Sequence, residues 1–215
     1  MLNYPTLDVD LELIRNLLTS DPAHRELRNP HPEPPVSKAT KDKARASAVL
    51  IPIVDTSEPC LIVTRRNPRI RFAGHVCFPG GTVDKTDASP VDTALRETEE
   101  EIRLSREQVD VLGELGHYYT QAGYLITPVV GLVSPDYSVE VNPLEVDEIY
   151  EIPLHKVLNA DSYSLTWRSG NRGHFAFHHE DVRIAGPTVS LMINLYECLL
   201  EHSGIAVERR EHVGH

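Results

Sequence analysis

Cysteine is scarce in this chain, which has three among its 215 residues: Cys60, Cys77 and Cys198. The number is odd and no two of them form a C-x-x-C pair, so the sequence lacks both a disulfide framework and a typical zinc motif. We therefore expect reduced thiols, as in a cytoplasmic protein. Cys77 and Cys198 lie in apolar runs, where a cysteine usually packs as a small hydrophobic side chain.

Long hydrophobic runs and positive charge are lacking as well. No run of about eighteen apolar residues occurs, so we expect no membrane span. Residues 1–13 contain acidic side chains instead of the basic start of a secretory or transit peptide. The 21 Lys and Arg residues face 32 Asp and Glu residues, a formal net charge of −11, which disfavours a nucleic-acid partner. A small anionic ligand is compatible with this charge, because a few arginines and a metal ion can reverse the local field.

The rest of the composition is that of a globular domain, with 40% hydrophobic and 25% charged residues. Apolar residues at helical spacing predict an amphipathic helix over 8–19, and the prolines between 29 and 37 indicate an irregular linker. We assign residues 1–43 to this helix and Pro-rich linker, 44–203 to one folded domain, and 204–215 to a C-terminal tail.

The folded domain mixes strands with a few helices. Apolar runs bounded by turn residues predict strands at 48–54, 60–64, 76–78, 109–119, 125–133, 150–153, 162–168, 173–177 and 182–184. Helices are predicted at 90–102 and at 188–201. This pattern predicts an α+β or layered α/β/α fold. The helix at 188–201 could cover its own core or face a partner, which leaves the oligomeric state open, a homodimer included.

The predicted helix at 90–102 carries a group of acidic side chains. Ser89 suits the N-cap and Pro90 the first helical position. Three glutamates then follow at i, i+3 and i+4, and we expect them on a face roughly opposite the apolar stripe: Glu97, Glu100 and Glu101. Like charges at this spacing repel, and a bound divalent cation would remove that penalty. Oxygen ligands suit Mg²⁺ or Mn²⁺ better than Zn²⁺.

The helix alone leaves a second interpretation open, a solvated acidic face. The preceding Gly80-Gly81 favours the metal site, because it places bare backbone near the start of the helix, where a phosphate or metal can approach closely.

The segment 80–104 resembles the Nudix box, Gly-x5-Glu-x7-Arg-Glu-U-x-Glu-Glu-x-Gly-U, where U is aliphatic. Residues 96–104 match its second half. Asp87 stands where the pattern has a glutamate, and eight residues instead of seven separate it from Arg96. Thr98 and Arg103 replace the aliphatic residue and the glycine. We expect the helix to continue or to end differently at Arg103, because arginine in a left-handed conformation costs about 1 kcal/mol.

This resemblance implies a Nudix-type α/β/α sandwich with a mixed sheet, and metal-dependent hydrolysis of a nucleoside diphosphate derivative. It implies Mg²⁺ or Mn²⁺ held by Glu97, Glu100 and Glu101, with Arg96 as their orienting partner. Glu100 is its first candidate for the general base. Glu148, in the later Glu-Val-Asp-Glu stretch, is a second candidate.

The residues before the box resemble the upstream motif of the coenzyme A diphosphatase branch of this family. Leu61-Ile-Val-Thr-Arg-Arg-Asn67 leads to Phe78-Pro-Gly-Gly81, and segments 123–131 and 142–154 resemble later strands of that branch. The branch implies coenzyme A as the substrate. Arginines crowd this approach to the box, and their guanidinium groups suit phosphate oxygens. The predicted substrate-binding residues are Arg65, Arg66, Arg71, Gly80 and Gly81.

Two other classes of function stay open at this point. One is the same reaction on ADP-ribose, NADH or a dinucleotide polyphosphate. The other is a Nudix-like binding or regulatory module without turnover, against which the intact glutamate set argues. None of the eleven histidines is assigned to catalysis.

Overall fold

The computed structural model describes residues 2, 4–7, 11–18, 25–168 and 172–207. Within them the main sheet has eight strands, and β1 and β7 run parallel while the other pairs run antiparallel. The strands are β1 Arg45–Val54, β2 Cys60–Arg66, β3 Val76–Cys77, β4 Gly80–Thr82, β5 Val109–Glu114, β6 Tyr118–Tyr119, β7 Tyr124–Val133 and β8 Val146–Pro153. Their order is β3-β2-β1-β7-β5, with β4 on β1, β6 on β7 and β8 on β2. The sheet is therefore mixed.

Three further strands form a small antiparallel sheet in the order β11-β10-β9, namely β9 Tyr163–Arg168, β10 Arg172–His179 and β11 Val182–Ala185. The helices are α1 Leu11–Leu18, α2 Lys38–Lys41, α3 Pro90–Ile102, α4 Leu154–Val157 and α5 Pro187–His202. None of the described helices has the length and hydropathy needed to cross a membrane.

Alternating side chains of the central strands build a core on each face of the main sheet. Leu50 and Ile62 pack in the cluster under α3, whereas their neighbours Ile51 and Leu61 pack in the larger cluster under α5. Successive side chains of a strand point to opposite faces, so a strand covered on both sides reads as a continuous apolar run. The predicted α+β sandwich with a mixed sheet is confirmed.

The predicted strand at 109–119 is in fact two strands, β5 and β6, joined by a short break. Gly113, near the end of β5, and Gly116, in the break, have φ of 149° and 132°, and a Cβ on Gly116 would lie 2.5 Å from the carbonyl oxygen of Arg25. The break therefore lets the segment at 25–27 lie against the sheet, where Leu27 donates to the His117 carbonyl at 2.7 Å. The predicted helix at 8–19 is present as α1, and its ends at 8–10 and 19 lie outside the described residues, as does 208–215 of the predicted tail.

The expectation for Arg103 was wrong. Arg103 adopts the left-handed conformation, with φ 57° and ψ 18°, and ends α3. Its N–H donates to the Glu99 carbonyl at 3.0 Å, and the turn directs Leu104 into the core, where it is 1% exposed. Burial of a leucine contributes about 1.5–3 kcal/mol, which exceeds the cost of the left-handed arginine.

Candidate active site

The glycine pair 80–81 belongs to strand β4, which pairs with β1. A Cβ on Gly80 would overlap the carbonyl oxygen of Ala48, and a Cβ on Gly81 would overlap the carboxylate of Glu97. Gly80 therefore needs glycine, because the obstacle is backbone, whereas a side chain at Gly81 would only displace the movable end of Glu97. Helix α3 begins shortly afterwards, where Ser89 accepts a hydrogen bond from the Asp92 N–H at 3.2 Å.

The glutamates of α3 differ strongly in exposure. Glu101 is 2% exposed, Glu97 is partly buried against Gly81, and Glu100 is exposed. The expected common face opposite the apolar stripe is therefore wrong for Glu101. Its Oε2 accepts from the Gly80 N–H at 3.3 Å, and its Oε1 lies 3.5 Å from Nη1 of Arg66, so β4 and β2 supply the partners that a buried carboxylate requires.

Burial and neighbouring charge disfavour ionised carboxylates in this site. Burial raises the pKa of Glu101 to about 8, against the opposing effects of Arg66 and the Gly80 N–H. Burial also raises the pKa of Glu97, and the Arg96 guanidinium opposes that shift. Glu97, Glu101 and Glu145 line the same cavity, and the charge of Glu145 raises the pKa of the other two further.

Arg96 connects three carboxylates through its planar fork. Its Nε and Nη2 donate to the two oxygens of Asp87 at 2.9 and 3.0 Å. Its Nη1 lies 2.9 Å from Oε1 of Glu97 and 3.2 Å from Oε2 of Glu100. The hydrogen bonds from Arg96 hold the pKa of Asp87 well below its usual range. Arg96 therefore fixes the orientation of Asp87, in the loop before α3, and of Glu97 and Glu100 on the helix.

The donor set fits a hard divalent cation. Carboxylate oxygens from Glu97, Glu100, Glu101 and Glu145, beside bare glycine backbone, are the ligand type that Mg²⁺ and Mn²⁺ take. Within the described parts of the chain, no group of three Asp, Glu, His or Cys side chains has its donor atoms arranged to hold a metal ion. The arginines explain this, because Glu97 and Glu100 face Arg96 while Glu101 faces Arg66.

Glu97, Glu101 and Glu145 form one wall of a cavity of about 530 Å³. A second wall comes from the loop after β2 together with β7, and includes Arg71, Phe72, His75 and Tyr124. A third wall comes from the end of β11 and the start of α5, and includes Ala185, Pro187, Thr188 and Leu191. The cavity thus combines an acidic end, two arginines and an extended apolar side.

The NUDIX domain family model matches residues 44–168 of the chain. The chain belongs to the Nudix family. Two relatives described as uncharacterized Nudix hydrolases NudL are similar to it. The relative from Photorhabdus laumondii is 46% identical over 131 residues, 60% of this chain and 70% of its own. That from Yersinia enterocolitica is 44% identical over 128 residues, 59% of this chain and 65% of its own, so the match leaves about a third of each relative uncovered.

Solved structures with the Nudix fold are also similar to this chain. The NUDIX domain of Shewanella oneidensis NrtR, complexed with ADP ribose, has a TM-score of 0.49 at 16% identity and covers 76% of this chain and 93% of that domain. A NUDIX hydrolase from Alicyclobacillus acidocaldarius has a TM-score of 0.48 at 19% identity and covers 76% of this chain and 97% of its own. Nudix hydrolases generally use divalent cations, in agreement with the donor set described above.

The structure brings most of the predicted Nudix site residues to the cavity and leaves others outside its lining. Six of the predicted residues line the cavity: Arg66, Arg71, Gly80, Gly81, Glu97 and Glu101. Glu100 and Arg96 lie beside it, joined to Glu97 by the Arg96 fork. Arg65 and Glu148 do not line it: they are directly paired across β2 and β8, and Nη1 of Arg65 lies 3.0 Å from Oε2 of Glu148.

Three residues that line the cavity were not predicted from the sequence as site residues: Glu145, Phe72 and Tyr124. Glu145 lies in the same acidic stretch as Glu148, and Asn142 donates to it at 3.1 Å. The ladder between β2 and β8 shifts register between Arg65 and Arg66, so counting along the strands could not decide which acid reaches the cavity.

Proposed function

We propose that this Nudix hydrolase uses Mg²⁺ or Mn²⁺ to hydrolyse the diphosphate bond of coenzyme A or an acyl derivative. Water adds across the anhydride, and the products are 3′,5′-ADP and 4′-phosphopantetheine or its acyl form. The observation that carries this proposal is a single cavity with carboxylates and arginines at one end and an extended apolar wall. A cytoplasmic location, where coenzyme A is available, is part of the proposal.

The apolar wall supports coenzyme A over the other diphosphates. Coenzyme A carries a long, uncharged pantetheine arm on one side of its diphosphate, whereas ADP-ribose carries a polar sugar there. Ala185, Pro187 and Leu191 offer aliphatic surface to such an arm. Apolar contact of this kind contributes about 25 cal/mol per Å² buried and gives no benefit to a hydroxylated sugar.

We assign the site residues as follows. Glu97, Glu100 and Glu101 hold the cation, which neutralises diphosphate charge and lowers the pKa of the attacking water. Arg96 is a positioning residue, because it touches the carboxylates and not the cavity. Arg66 and Arg71 bind phosphate oxygens, and the Gly80-Gly81 backbone lets the diphosphate approach closely.

The proton of the attacking water goes to a carboxylate. Glu100 is the first candidate, since it is the most exposed of the three and its partner Arg96 keeps it oriented. Glu145 replaces Glu148 as the second candidate, because Glu145 lines the cavity and Glu148 does not.

The test is a comparison of kcat/KM for coenzyme A, dephospho-coenzyme A, ADP-ribose, NADH and a dinucleotide polyphosphate, each with Mg²⁺ and Mn²⁺ at one salt concentration. Coenzyme A should be preferred by tenfold or more. A tenfold preference for ADP-ribose or NADH would refute the coenzyme A assignment and leave the hydrolase intact. Binding of these nucleotides without any product release would instead identify a non-catalytic module.

A further inference from the structure

Phe72 combines a left-handed backbone conformation with a large apolar side chain that is partly exposed. Its φ is 62°, in the left-handed region, and its side chain is 44% exposed although it is a large apolar group. A bulky residue in that region is a genuine outlier and costs about 1–3 kcal/mol of strain. The ring contacts Arg71 and His75 and stays nearly half exposed, so its burial offsets this cost only in part.

The loop on either side of Phe72 is fixed by hydrogen bonds. Nε of Arg66 donates to the carbonyl oxygen of Arg71 at 3.2 Å, and the Gly74 N–H donates to the carbonyl oxygen of Arg66 at 3.0 Å. The His75 N–H donates to the carbonyl oxygen of Phe72 itself at 3.2 Å. Both ends of the turn are thereby tied to the end of β2, which keeps Phe72 in place at the cavity wall.

Arg71 covers part of the Phe72 ring and bridges it to Tyr124. The guanidinium carbon of Arg71 lies 4.7 Å from the centroid of the Phe72 ring and 5.9 Å from that of Tyr124. Its Nη1 donates to the Tyr124 hydroxyl at 3.1 Å. The three side chains form a cationic aromatic platform on the cavity wall, and we use the name platform for these residues below.

We propose that the platform of Arg71, Phe72 and Tyr124 is the subsite that stacks the nucleobase of the substrate, with Phe72 as its specificity-determining residue. This inference rests on the proposed function in one respect, that the substrate is a nucleoside diphosphate derivative. A planar base fits a flat, exposed ring, and the guanidinium beside it suits the adjoining phosphate. The flexible arm of coenzyme A has no planar group and fits the aliphatic wall at Ala185 and Leu191 instead.

The experiment measures binding of AMP and of ribose 5-phosphate by titration calorimetry in the presence of Mg²⁺. The two probes differ by the base alone. The wild type should bind AMP about five- to a hundredfold more tightly, the range expected for one stacked base. Phe72→Gly should reduce that ratio to within twofold, and Phe72→Trp should preserve it.

A matched control separates stacking from backbone relief. Glu180 has φ 51° in the turn between β10 and β11, away from the cavity. Phe72→Gly and Glu180→Gly should both leave the thermal midpoint unchanged or higher, because glycine removes the left-handed penalty. Only the first substitution should weaken AMP binding.

Three results would overturn the inference: equal wild-type affinities for the two probes, an AMP preference that survives Phe72→Gly, or a Phe72→Gly effect on 4′-phosphopantetheine instead of AMP. None of these measurements requires turnover. A protein that does not cleave coenzyme A but loses AMP binding in Phe72→Gly refutes the proposed substrate and supports the platform. If coenzyme A is cleaved and Phe72→Gly leaves AMP binding unchanged, the proposed substrate is supported and the platform is refuted.

Discussion

Arg96 holds Asp87 by two parallel hydrogen bonds, from Nε to Oδ1 at 2.9 Å and from Nη2 to Oδ2 at 3.0 Å. This contact joins the loop before α3 to the middle of the helix, across nine positions of sequence. Asp87 also accepts from the Thr93 hydroxyl and the Asp84 N–H, each at 2.8 Å. The aspartate that departs from the Nudix pattern therefore anchors the arginine that orients Glu97 and Glu100, two of the proposed metal ligands.

Arg96→Lys should lower kcat more than it raises KM, because lysine keeps the charge and loses the fork that orients Glu97 and Glu100. Asp87→Asn should act in the same direction. Steady-state kinetics of both variants and of the double variant test this. Since the two residues act as one unit, the double variant should be little worse than Arg96→Lys, and additive losses would show that they act independently.

Glu97→Gln and Glu101→Gln should each lower kcat by roughly a hundredfold or more, because charge stabilisation worth several kcal/mol is lost. In EDTA their thermal midpoints should equal or exceed that of the wild type, since burial disfavours the charged form of both carboxylates and glutamine is neutral. Added Mg²⁺ should raise the midpoint of the wild type and have a smaller effect on the variants. Glu99→Gln, at an exposed position of the same helix, is the control and should behave as the wild type. Near-normal turnover in both variants would refute the metal assignment.

Arg66 and Arg65 offer a matched pair of adjacent arginines. Arg66→Ala should weaken coenzyme A binding roughly tenfold or more, the effect of one charge-assisted hydrogen bond. It should also lower the thermal midpoint, because Glu101 loses its cationic neighbour. Arg65→Ala should change KM less than twofold, since Arg65 pairs with Glu148 outside the cavity lining, and exposed ion pairs contribute about 0–1 kcal/mol. Equal effects of the two substitutions on KM would place Arg65 at the substrate as well.

His31 should make the fold sensitive to mild acid. It is 7% exposed, its Nδ1 accepts from the Phe175 N–H at 3.0 Å, and burial lowers its pKa below the usual 6.5. The unfolded chain therefore binds this proton more readily, so the free energy of unfolding should fall as the pH drops below about 6.5. Urea unfolding of the wild type and His31→Gln between about pH 5 and 7.5 measures the difference. An identical slope with pH in the two proteins would exclude His31 as the cause.

The carboxylate helix was predictable because its information is local. Ser89, Pro90 and the spacing of the glutamates lie within one segment, and the helix forms where they indicate. The burial of Glu101 was not predictable from that segment, because its partners Gly80 and Arg66 come from two strands of the sheet. Helical periodicity specifies which side chains share a face, whereas the neighbouring strands decide which of them becomes buried.

The aromatic side of the cavity depends even more on distant parts of the chain. Phe72 and Tyr124 are 52 positions apart, and Arg71 brings them together through contacts that no local pattern encodes. The register shift between Arg65 and Arg66 is also a feature that no local pattern encodes. It decides which arginine lines the cavity and which pairs with Glu148. Register shifts and positive φ at non-glycine residues are tertiary features, and sequence periodicity does not report them.

The contact between Gly81 and Glu97 also offers a practical reagent. The φ of Gly81 is not in the left-handed region, so alanine suits its backbone, and the added methyl group would meet only the movable end of the Glu97 side chain. Gly81→Ala should therefore displace one carboxylate while the remaining walls of the cavity stay in place. Such a protein would hold its nucleotide uncleaved, and co-crystals grown with intact substrate would show the ligand before its diphosphate is broken.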